Sequence, residues 1–197
     1  SPAAVASHAS DLLPDAASVD PEWPRPPSLD DPDELNQFGL TIQREGMWKE
    51  AEELHLRSLK LADESGRQQS AAVALGHLGV IYQMRHELDE SESAFHRALR
   101  MFESLGKDKG VAAVCNGLGI VYLAGNDLDK AQAMFRRALD IELKLGRAQG
   151  KVACWQNLAI LADARGDSVT ASEFRRRAQL LREVPQYPLG LLFPSDI

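Results

Sequence analysis

The sequence predicts an all-α protein, a solenoid of four helix-turn-helix repeats. Three observations carry that expectation. Gly39, Gly79 and Gly119 stand 40 residues apart, a fixed period of the kind that marks stacked repeats, each burying its apolar face on its neighbours. Tyr82 and Tyr122, Phe95 and Phe135, and the pairs Ala98-Leu99 and Ala138-Leu139 recur at the same spacing. Between turn residues the apolar positions follow helical intervals, as in Ala131, Phe135, Ala138 and Leu139, which share one inward face.

The first element, residues 1–31, is an acidic arm rich in Ala, Ser, Pro and Asp. Residues 1–34 carry eight acids against one base, Arg25, so the whole formal charge of −7 lies there, and the remaining 21 acids and 21 bases cancel. Such composition reads as an extended arm. Its PEWPRPP segment reads as a plain linker, as an arm anchored by Trp23 on the first repeat, or as a polyproline ligand.

From Pro32 the pattern becomes helical, with segments expected at 32–44, 48–65, 69–84, 88–105, 109–124, 128–145, 149–164 and 168–183, making a repeat domain over 32–184. The first helix of each pair holds a large residue, a Leu or Phe, a small residue and an aromatic or aliphatic; in the third pair these are Cys115, Leu118, Gly119 and Tyr122. The small residue is needed where two helices approach closely. Gly46, Asn126 and Gly166 supply turns tolerant of positive φ, Gly66, Gly106 and Gly146 end the second helices, and Asp127 and Asp167 are placed to cap the helices that follow. Residues 185–197 form an apolar tail, YPLGLLFPSDI after Pro185 and Gln186. Burying each of its large side chains is worth roughly 1–2 kcal/mol, so it either caps the last helix or lies as an extended peptide in a groove, its own or a second copy's.

These residues resemble the tetratricopeptide repeat family, whose pattern of W-x-x-L-G-x-x-Y followed by Gly, Ala, Phe and Ala is met four times. The third copy is Cys115, Leu118, Gly119, Tyr122, Asn126, Ala131, Phe135 and Ala138, and the second is Leu75, Leu78, Gly79, Tyr82, His86, Ser91, Phe95 and Ala98. The first copy runs Leu35, Phe38, Gly39, Ile42, Gly46, Ala51, His55 and Ser58. In the fourth, Trp155, Leu158, Ala159, Ala162, Gly166, Ala171, Arg175 and Ala178, an arginine takes the aromatic position. A 40-residue unit exceeds the usual length of about 34 and looks like the long-repeat subclass of kinesin light chains, polarity adaptors and bacterial regulator arms. The resemblance implies a right-handed α-solenoid. Arg175, Arg176, Arg177 and Arg182 read as a solvated capping face, or else as a patch for an acidic partner.

In this family the first helix of each repeat lines a concave groove. Spacings of i, i+3, i+7 and i+10 then place Asn36, Leu40 and Gln43; Val80 and Gln83; Asn116, Ile120 and Leu123; and Gln156 and Ile160 on that face, with His77 and Asn157 beside them. The stripe holds no Lys or Arg, which argues against the capture of a terminal carboxylate that some relatives use. Amides there can bond a peptide backbone or bridge adjacent helices, while the aliphatic residues suit apolar side chains. The expected function is a non-enzymatic adaptor or scaffold for an extended, largely neutral or apolar peptide; the alternative is a regulatory or assembly module whose groove is filled by its own tail or by a second copy.

No catalytic residue, cofactor or metal is expected. The five histidines have no ligand spacing with one another or with Cys115 and Cys154, and no glycine-rich loop follows a strand. The two cysteines read as buried small hydrophobes, or as a bridge between adjacent repeats. No basic face suits nucleic acid, no apolar run suits a membrane span, and a cytoplasmic setting is expected, although a start at Ser1 is compatible with processing.

Overall fold

The computed structural model describes residues 30–183; the arm with Trp23 and the apolar tail lie outside the described residues. Among these residues the chain forms eight helices: α1 Pro32–Arg44, α2 Trp48–Glu64, α3 Gln68–Met84, α4 Leu88–Ser104, α5 Asp108–Ala124, α6 Leu128–Lys144, α7 Ala148–Ala164 and α8 Ser168–Glu183. Every boundary falls within one residue of the sequence expectation. The helices pair as α1–α2, α3–α4, α5–α6 and α7–α8, and each second helix also packs on the next first helix.

The turns explain this regularity. Seven three-residue connections have a central residue at positive φ, and these residues sit every 20 positions from Gly46 to Gly166, with His86 (φ 60) and Asn126 (φ 59) the two that are not glycine. Each turn closes by the same pair of bonds. At the third, Glu87 N–H donates to Tyr82 O over 2.9 Å and His86 N–H to Gln83 O over 3.0 Å, the two-bond helix end that a left-handed residue permits. Asp127 and Asp167 then cap α6 and α8, accepting from Lys130 N–H at 3.1 Å and Thr170 N–H at 3.0 Å.

Within a repeat, the small residue of the first helix receives a ring from the second. A Cβ placed on Gly119 would lie 2.3 Å from the Phe135 ring, and one on Gly79 2.8 Å from Phe95. In repeat 4 the pair becomes Ala159 and Arg175, and the arginine instead turns outward to Asp163. A tyrosine also ties neighbouring repeats: Tyr122 on α5 donates to Glu92 on α4 at 2.9 Å. One apolar cluster runs through repeats 2 to 4 around Phe95, Leu118 and Phe135; a second, around Leu35, Phe38 and Leu54, belongs to repeat 1.

Candidate functional site

Successive first helices touch one another, α1 with α3, α3 with α5 and α5 with α7, while no comparable contact joins successive second helices among the described residues. An array that is tight along one side and open along the other curves toward the tight side. The first helices therefore line the inner face.

On that face the aliphatic stripe keeps its register. Leu40, Val80 and Ile120 are partly exposed, and Ile160 is 52% exposed. Gln83 and Leu123 are also partly exposed, and Gln156 is exposed. The remaining amides lie deeper. Asn36 is only 4% exposed: its amide nitrogen donates to Ser70 O at 3.0 Å, and its oxygen faces His55 Nδ1 at 3.1 Å. Gln43 is buried with its oxygen unpartnered. Asn116 donates to Cys154 Sγ at 3.4 Å and accepts from Asn157 at 3.3 Å, which stitches α5 to α7. Asp163, at the end of the stripe on α7, is paired with Arg175.

His77 is half-buried and stacks on His55, their ring centroids 4.7 Å apart. His55 occupies the ring position of Phe95 and Phe135, so its imidazole lies against Gly39 and out of water. Because the Asn36 nitrogen is committed to Ser70, the Asn36 oxygen accepts, and the ring proton of His55 resides on Nδ1. Nε2 is buried with no partner. Burial, reinforced by the facing His77, pushes His55 down to about 3; burial, reinforced by Arg44, pushes His77 down to about 4. Sequence reasoning missed this polar layer between the first two repeats. Its signal was His55 standing in a ring position.

Nothing on this face has the make-up of a reaction centre. Both cysteines are free and buried, and burial pushes the Cys115 thiol up to about 11 and raises that of Cys154, so neither offers a thiolate. Among the described residues no group of His, Cys, Asp and Glu could hold a metal, and no helix is long and apolar enough to cross a membrane.

Comparison with known proteins agrees with this geometry. The tetratricopeptide repeat model matches residues 34–104 and 70–144. BtubC (BKLC) from P. vanneervenii is similar in structure at a TM-score of 0.67 and 26% identity, over 84% of this chain and 73% of that one. A kinesin light chain from Podosopora anserina with nearly identical TPR-like repeats aligns at a TM-score of 0.60 and 17% identity, over 93% of this chain and 86% of that one. MamA from Desulfovibrio magneticus RS-1, from residue 41 to its end, gives 0.59 and 18%, over 80% and 79%; at these identities the last two speak for the fold alone. No curated protein matches the chain.

Proposed function

We infer that this chain, which belongs to the tetratricopeptide repeat family, is a non-enzymatic adaptor that holds an extended, largely neutral or apolar peptide segment of a protein partner against its inner face. The family and the solenoid support an interaction scaffold in general. The narrower reading rests on one observation: Leu40, Val80, Ile120 and Ile160 recur at one register on four consecutive first helices, each with accessible surface. A ladder of aliphatic groups at a helix-pair spacing suits alternate side chains of an extended strand of peptide, and the flanking Gln83 and Gln156 offer both a donor and an acceptor to its backbone. Asn36, Gln43, Asn116, His77 and Asn157 then act as supports that fix the spacing between helices, and Leu123 extends the apolar strip. The reading includes a cytoplasmic setting, where two unpaired thiols persist.

The test is a display screen of extended peptides on the intact chain. Neutral and apolar sequences should be enriched, and Ile160→Asp should weaken the best binder by about tenfold or more while leaving the melting temperature unchanged, since it removes one buried aliphatic contact. Enrichment of strongly charged peptides, or binding indifferent to Ile160→Asp, would sink the reading.

A further inference from the structure

The outward side of repeat 4 repeats the surface that repeat 3 presents to α7. In repeat 3 that surface is marked by two contacts: Asn116 bonds to Cys154 and Asn157, and Glu142, 3% exposed, lies against Gly150, where a Cβ would come within 2.0 Å of the carboxylate. One period on, the equivalents of Asn116 and Glu142 are Gln156 and Arg182. Both line a hollow of about 330 Å³, together with Val152 and Leu181. The hollow is the place that a further first helix would take.

The chain that follows α8 carries the matching residues in the matching order. Pro188 falls at the position where α3, α5 and α7 begin, the first helical site, where a missing N–H is harmless. Gly190 falls at the position of Gly110 and Gly150, which receive the side chains of Phe102 and Glu142. Leu192 falls at the position of Ala72, Ala112 and Val152, all buried. Pro194 then interrupts the pattern, because a proline there would remove a ladder bond. We propose that residues 188–193 of this same chain occupy the hollow as a shortened fifth inner helix, with Gly190 against Arg182 and Leu192 turned toward the array, closing the end of the solenoid and leaving the inner groove free. The tail begins at the rim of the hollow, so docking there closes a very short loop, at less entropic cost than reaching the distant inner face or a second copy.

The experiment uses the full chain and three substitutions. Leu192→Asp should lower the melting temperature by about 5 °C, from the loss of one buried leucine, and should move the backbone amide signals of Gln156, Leu181 and Arg182. Gly190→Leu should be destabilising beside Arg182 and relieved by Arg182→Ala, a non-additive pair; the chain should sediment as a monomer throughout. Signals moving at Val80 and Ile120 instead would put the tail in the groove and overturn the proposal. So would a dimer that Leu192→Asp dissociates, which would place the tail on a second copy. Additive effects of Gly190→Leu and Arg182→Ala, or no change on Leu192→Asp, would equally overturn it.

Discussion

Acid should loosen the first repeat before the rest of the array. His55 and His77 are held neutral in the fold, at about 3 and about 4, against an ordinary 6.5 once unfolded. Below pH 6.5 the unfolded chain therefore binds more protons than the folded one, so stability is full above that pH and falls as pH falls toward the folded values. Each unit below 6.5 costs about 1.4 kcal/mol per histidine held neutral, so at pH 5 the fully buried His55 costs about 2 kcal/mol. His77 is only partly enclosed and contributes roughly 1 kcal/mol after discounting for solvent. A loss of about 3 kcal/mol corresponds to a melting temperature lower by roughly 6–12 °C for a chain of this size. Asp31, Asp127 and Asp167 are lowered chiefly by the Asp33 N–H, the Lys130 side chain and the Thr170 side chain respectively. They titrate below this window and do not mask it. The assay is thermal unfolding followed by helical circular dichroism at pH 7 and pH 5, for the parent chain and for His55→Phe, which places at this position the ring that Phe95 and Phe135 hold in repeats 2 and 3. The variant should lose about 2 kcal/mol of the pH dependence, whatever its stability at pH 7. An unchanged slope in His55→Phe would refute the assignment.

Two further outcomes follow from the backbone. Gly119→Val should destabilise the chain by about 3 kcal/mol or more, because the new side chain meets the Phe135 ring where even a Cβ would sit at 2.3 Å; denaturant melts read this directly. His86→Gly should stabilise by about 1 kcal/mol, since the histidine is held at φ 60, a conformation that glycine adopts without strain, and the melting temperature should rise by roughly 2–4 °C.

The amide stripe shows where sequence reasoning reached its limit. Spacing placed Asn36, Asn116 and Gln156 on one face, and they do occupy equivalent positions on α1, α5 and α7. It could not say that Asn36 is spent on Ser70 and His55 while Gln156 remains open. The difference arises because a further first helix covers Asn36 and Asn116, whereas among the described residues none covers Gln156. Likewise Glu142 reads in sequence as an ordinary charged residue of an amphipathic helix, yet it lies buried against Gly150 with Arg147 at 3.5 Å.

By itself the sequence determined the helices, the turns and the pairing of Gly119 with Phe135, because these depend on φ preferences, caps and apolar spacing within about 20 residues, and the period repeats them. Only the tertiary structure decided which polar groups face water. The bonds from Asn36 to Ser70 and from Asn116 to Asn157 span 34 and 41 residues, and they form only once one repeat has stacked on the next.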